Sequence, residues 1–127
     1  MNIAGKERRF ELNVQSHGEV SDLCPGNDLA NIGQLYAHGS KEGTAATIKI
    51  AIALNRGYED HKHFDDPDYE PSYLKEDDFR FMSIAQIQAL EREISEAMQR
   101  DSQTTVEAEL PKTSGKNAEE AKEEPSA

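Results

Sequence analysis

The chain has no tryptophan, a single cysteine, and only four Phe and four Tyr among 127 residues. One cysteine, Cys24, excludes an intrachain disulfide and a cysteine-based zinc site within the chain, which fits a reducing, cytoplasmic setting. Long apolar runs are missing too. No segment approaches the roughly 18 apolar residues of a membrane span, and MNIAGKERRFELNV at the start holds no apolar run of signal-peptide length. The expectation is a soluble protein that is not exported and does not enter a membrane. Basic residues are scarce: 14 Lys and Arg stand against 25 Asp and Glu, for a net charge of −11 and a pI near 4.7. Phosphate neutralisation needs clustered cations, so nucleic acid is not an expected partner. The hydrophobic fraction of 35% lies below the roughly 45–50% of an average globular chain. The core must be small, and part of the chain stands outside it.

The apolar mass that is present comes mostly from Ile, Leu and Ala, which favours helix packed on helix. Residues 1–14 read as a β-hairpin turning at Gly5 and Lys6, with Phe10, Leu12 and Val14 alternating against Arg9, Glu11 and Asn13. A short helical turn from Ser16 or Ser21 through Val20 and Leu23 ends at Pro25-Gly26. Asn27 or Asp28 then caps a second short helix carrying Leu29, Ile32, Leu35 and Tyr36, with Gly39 as its stop. The segment EGTAATIKIAIALNRGYEDHKHF is the core helix, capped at Thr44, with Ala45, Ile48, Ala51, Ile52 and Asn55 on one side. Ile48, Ile50 and Ile52 also alternate as in a strand, but the length and the alanines favour helix. Ser83 and Gln86 form a capping box opening an amphipathic helix whose stripe is Ile84, Ile87, Leu90, Ile94 and Met98. Gln88, Glu91, Arg92, Glu96 and Arg100 face outward on the same helix. The fold class is therefore α+β and mainly helical: an N-terminal hairpin on a small bundle of three to four helices, followed by a disordered acidic tail. The divisions are 1–64 for the hairpin and helical core, 65–82 for a Pro- and aromatic-containing linker, 83–100 for the amphipathic helix and 101–127 for the tail.

Chemistry concentrates in YEDHKHFDDPDYEP, residues 58–71. His61 and His63 would share a face only on a strand. On a continuing helix they sit about 200° apart, leaving Asp60 with His63 or His61 with Asp65 as usable pairs. Two His with Asp65 or Asp66 could bind zinc in principle, yet the H-E-x-x-H pattern is missing, and a polar helix exit is the stronger reading. Cys24 lies in an apolar turn away from His17 and His38, which suits a buried structural thiol better than a nucleophile. The glycines at 26, 39 and 43 match no phosphate-binding loop, and the adjacent acids Asp65-Asp66 and Asp77-Asp78 do not oppose one another across a cleft. No catalytic, cofactor or metal residue is assigned, and a non-enzymatic protein is the expectation.

The hairpin MNIAGKERRFELNV, then EVSDLCPGNDLANI, TIKIAIALNRGYEDHKHFDDPDYEP and LKEDDFRFMSIAQIQALEREISEAM, resemble in order and texture the tail assembly chaperones of long-tailed phages and prophages, over about residues 1–100. The resemblance implies a helical, self-associating protein that binds the tape-measure protein and helps tail-tube subunits polymerise around it, its tail recruiting tube subunits. It implies the host cytoplasm as the location. The contact surface would be drawn from Tyr58, Phe64, Tyr69, Tyr73, Phe79 and Phe81, six of the eight aromatics, together with Ile87, Leu90, Ile94 and Met98. The alternative class is an acidic phage-encoded inhibitor or DNA mimic acting on a host protein. Seven acidic and three basic side chains lie in 101–127, so eighteen acids against eleven bases remain before it. That is a modest surplus for a DNA mimic.

Overall fold

The computed structural model describes residues 1–35 and 40–102. The fold is mainly helical with a small N-terminal hairpin, as the composition implies. Strand β1 (Asn2–Ile3) pairs antiparallel with β2 (Lys6–Glu7). The connection is Ala4-Gly5, both at positive φ (54° and 84°), the two-residue turn that matches strand twist. The hairpin is shorter than its alternating pattern suggests. After Glu7 the chain runs extended to Asn13; Arg8 still pairs with Met1, and from Arg9 to Leu12 the backbone groups bond to helices rather than to another strand.

Helix α1 (Val14–Leu23) begins one residue after Asn13, whose side chain accepts from the Ser16 N–H while Ser16 Oγ accepts from the Asn13 N–H. This reciprocal cap starts the helix earlier than Ser16 or Ser21. Val14, expected on the apolar face of the hairpin, stands 93% exposed in the first turn instead. A 3-10 turn (Pro25–Asn27) and a run of 3-10 structure (Leu29–Leu35) follow in place of a second short α-helix. The Asp28 side chain accepts from the Ala30 N–H, and the Asn31 amide donates to the Pro25 carbonyl. Tyr36 and Gly39 lie outside the described residues.

Helix α2 (Lys41–Asp65) is the central element. Its cap is Ser40, whose Oγ accepts from the Gly43 N–H at 2.9 Å, so Thr44 lies already inside the helix. The buried face runs through Gly43, Thr47, Ile50, Ala51, Leu54 and Gly57, while Ile48 and Ile52 are only partly buried. Helix α3 (Ile84–Ser102) opens with the Ser83–Gln86 capping box, each side chain meeting the other's backbone N–H (2.8 and 3.1 Å). Ile87, Leu90, Ile94 and Ala97 bury against α2 and the N-terminal segment, and Ile84 is 67% exposed. Asp101 and Ser102, expected in the tail, belong to the last turn of α3, and the rest of that tail lies outside the described residues.

The stretch 65–82 doubles back along α2. Tyr69 Oη and the Ser72 N–H both donate to Glu59 Oε1 (2.7 and 2.9 Å), and the Leu74 N–H donates to Asn55 Oδ1 at 3.0 Å. Leu74 and Phe79 are buried, the latter in a 3-10 turn (Glu76–Phe79). What the composition suggests as a linker is thus a second layer fastened to α2.

Two residues of α2 set how closely its neighbours approach. Asn55, fully buried, donates to the Arg9 carbonyl and accepts from Leu74, tying segments on two sides of the helix. Replacing Asn55 with Ala leaves both backbone groups unmatched and should lower stability by roughly 2–4 kcal/mol in chemical denaturation. At Gly57 an added Cβ would lie 2.9 Å from both Ser16 Cβ and Oγ and 3.1 Å from the Glu11 carbonyl. Ser16 cannot rotate away without breaking its bonds to Glu11 and Asn13. Gly57→Ala should therefore cost about 1–3 kcal/mol despite the better helix propensity of Ala. Gly18→Ala in α1, with nothing within 4 Å, should instead stabilise by up to about 1 kcal/mol. Equal effects at the two glycines would contradict the close α1–α2 contact.

Candidate functional site

Where the extended segment passes between the end of α2 and the last turns of α3, a polar groove of ≈ 750 Å³ opens. One wall is the chain from Glu7 to Leu12, the second is Tyr58 and His61 of α2, and the third is Glu93, Glu96, Ala97, Arg100 and Asp101 of α3. The Met1 amino group closes one end, donating to Glu7 Oε2 at 2.6 Å and to the Arg8 carbonyl at 3.0 Å. At the other end Arg100 and Asp101 form a forked ion pair with N–O distances of 2.8 Å. The pair reaches over to the extended segment: Arg100 donates to the Phe10 carbonyl (2.9 Å), and Asp101 accepts from the Leu12 N–H (3.0 Å). Arg100 holds the Asp101 carboxyl below the usual carboxylate range, and the Leu12 N–H adds to this against the effect of burial. Arg100 stands on the exposed side of α3 as its spacing implies, but no local spacing carries this tie, because Phe10 lies 90 residues away in the chain.

His61 is drawn toward the segment as well. Its Nδ1 lies 2.7 Å from Glu11 Oε2 and its Nε2 lies 3.3 Å from Asp65 Oδ2. His63 turns elsewhere, its Nδ1 2.8 Å from the Tyr69 carbonyl. The helix continues through both histidines and separates them, so the i, i+4 pair His61–Asp65 forms and a shared His61–His63 site does not. Among the described residues no three His, Cys, Asp or Glu side chains converge as metal ligands. Cys24 is buried, its Sγ 3.3 Å from the Val20 carbonyl, and burial raises its thiol pKa, which disfavours the thiolate.

The ten expected contact residues divide into three groups. Phe79, Ile87, Leu90 and Ile94 are buried in the core, so these four must be withdrawn as a partner surface in this fold: their apolar area is already spent on packing within the chain. Tyr58, Tyr69 and Met98 are half-buried. Lys62 lies over the Tyr58 and Tyr69 rings, and the Tyr69 hydroxyl is pushed up to about 12 by its hydrogen bond to Glu59, with burial adding to the rise. Phe64 (83% exposed), Phe81 (89%) and Tyr73 face solvent, as does Ile84 in the first turn of α3. Tyr73 is fixed by a hydrogen bond to Asp60, and the Arg80 guanidinium stacks 5.2 Å from the Phe81 ring centre. Among the described residues no helix is long and apolar enough to cross a membrane. Comparison with protein-family models, curated proteins and solved structures gave no match.

The His61 contacts have a definite pH consequence. Hydrogen bonding to Glu11, the charge of Glu11 and then that of Asp65 raise its pKa above the ordinary 6.5. A raised folded-state value means that the contribution to stability is complete below 6.5 and is lost as pH climbs through the folded value. An NMR titration should show His61 titrating above 6.5, and Glu11→Gln should return it toward that value. A His61 that titrates at or below 6.5 would show that the Glu11 contact does not persist in solution.

Proposed function

We propose that the protein is an assembly chaperone or adaptor of a long-tailed phage or prophage, binding the tape-measure protein and promoting assembly of the tail tube around it. The observation that carries this reading is the exposed apolar pair Phe81 and Ile84, three residues apart across the α3 cap, with Phe64 exposed at the end of α2. In a chain with only four Phe, two stand on the surface while Phe10 and Phe79 fill the core. Single exposed apolar residues are ordinary, but an exposed Phe and Ile three residues apart offer anchors of the kind that helical clients bury. Each such side chain contributes roughly 1.5–3 kcal/mol when taken out of water.

The surroundings suit transient binding. Asp77 is exposed beside the patch, and Asp65, Asp66 and Asp68 are exposed beyond Phe64. Their charge keeps the unliganded chaperone soluble and repels other acidic proteins. Phe81 and Ile84 contribute little to the core, so the binding function can be removed without unfolding the chain.

Co-expression with a long helical tape-measure protein, followed by light-scattering mass of the purified species, tests the proposal. The expected result is a soluble complex that Phe81→Ala with Ile84→Ala weakens by roughly tenfold or more, while the melting transition is unchanged. A strict monomer that leaves the client insoluble would remove the reading, and the acidic-inhibitor class would then take first place.

A further inference from the structure

A second, smaller groove of ≈ 340 Å³ opens where α3 ends against the start of α1. Its lining is Leu12, Asn13 and Val14, then His17 one turn into α1, and Asp101 and Ser102 of α3. The Asn13 cap fixes Val14 in the first turn of α1, where it exposes a larger fraction of itself than any other large apolar residue described. An apolar side chain is thus held open to water at the edge of a groove whose floor includes Leu12.

The charges around this groove favour a carboxylate in its occupant. Asp101, the one acid in the lining, is paired with Arg100 and accepts from the Leu12 N–H. Two further acids reach the start of α1, Glu11 through Asn13 and Asp60 through Gln15, and each is also bonded to a second partner, His61 and Tyr73. The first turn of α1 itself carries no acid, and the N–H groups of Val14 and Gln15 have no acceptor among the described residues. A helix start in this state carries partial positive charge and attracts carboxylates.

The chain supplies an occupant of this chemistry. Among residues 103–127, Val106 and Leu110 are the only large apolar side chains. In TTVEAEL, residues 104–110, Val106, Ala108 and Leu110 alternate with Glu107 and Glu109, a pattern that puts the apolar side chains of an extended chain on one side and the carboxylates on the other. Ser102 belongs to the lining, and Val106 lies four residues beyond it, a reach of about 13 Å of extended chain. We propose that residues 104–110 dock in this groove of their own chain, with Val106 packed on Leu12 and Val14 and Glu107 at the rim beside the start of α1. The docked segment closes the junction of α3 with α1 and shields the Asp101–Leu12 bond in the groove wall from water. The same segment of a second copy has the same chemistry, but the short tether gives the chain's own segment the higher effective concentration. This inference is independent of the tail-assembly reading and of Phe81 and Ile84.

The test is paramagnetic relaxation in the full chain with a nitroxide on Thr113→Cys, three residues past Leu110; the native thiol, Cys24, is buried away from the reagent. Loss of amide signal centred on Val14, His17 and Gly18 is expected. The signal should recover when Val106→Ser and Leu110→Ser are introduced together, and also with Val14→Asp, which replaces an exposed side chain and sets a like charge against Glu107. Absence of any loss would overturn the proposal, as would a loss that survives both sets of substitutions and so reports the tether alone. Loss in isotope-labelled chains mixed with separately spin-labelled ones would overturn it too, by giving the groove to a second copy.

Discussion

The structure depends on five residues, Arg8 to Leu12, held in extended form between two helices. Buried backbone amides and carbonyls must find partners, and among the described residues no strand pairs with Arg9 to Leu12. The helices supply the partners instead: α2 offers a carbonyl at Leu54 and an amide side chain at Asn55, and α3 offers the Arg100–Asp101 fork. Those bonds fix where α2 and α3 stand, and the side chains of Phe10 and Leu12 fill the space between them. Because the segment leads directly into Asn13, the same geometry sets the first turn of α1. The Asn13 amide also donates to the Gly57 carbonyl at 3.0 Å, which brings Ser16 onto the glycine.

Around this strand α2 acts as a spine contacted from several sides. Apolar packing supplies most of the burial through Val20, Ile50, Leu54, Leu90 and Ile94, all fully covered. With so few large side chains, polar groups on the spine do much of the positioning. Asn55 and Glu59 receive the returning chain at Leu74, Ser72 and Tyr69, and Arg8 donates to the Ser72 carbonyl from the opposite direction. The Asn55 and Glu59 ties specify one arrangement more sharply than apolar contact alone, while the Nε of buried Arg8 has no hydrogen-bond partner.

Much of this was legible in the sequence wherever the signal was local. Ser83 and Gln86 three residues apart, the Ile87, Leu90 and Ile94 spacing, and the alanine-rich run through Ile50 and Leu54 each imply their helix, and each helix is there. The misreadings arise where a competing cap or a distant partner decides. Phe10, Leu12 and Val14 alternate as in a hairpin strand, but the helix cap at Asn13 takes Val14 out of the pattern. Thr44 is a good cap by type, yet Ser40 reaches the Gly43 N–H first. The aromatics at 58–81 stand as one cluster in the sequence, open to pinning the chain on the core or to meeting a partner, and the return of 65–82 along α2 divides them into buried, half-buried and exposed parts. The Arg100–Asp101 tie joins residues about 90 apart in the chain, and no local spacing carries that information.

Outside the frame stand exposed Phe81 and Ile84 at the start of α3 and a polar groove at its end. Both depend on the strand segment holding α3 against α2. Native-state hydrogen exchange of the Glu11, Leu12 and Leu74 amides tests that dependence most directly. If the segment is the keystone, these three amides exchange only through global unfolding, as slowly as the central amides of α2. Exchange of Glu11 and Leu12 at the rate of a solvated loop, while α2 stays protected, would mean that the helices hold together without it.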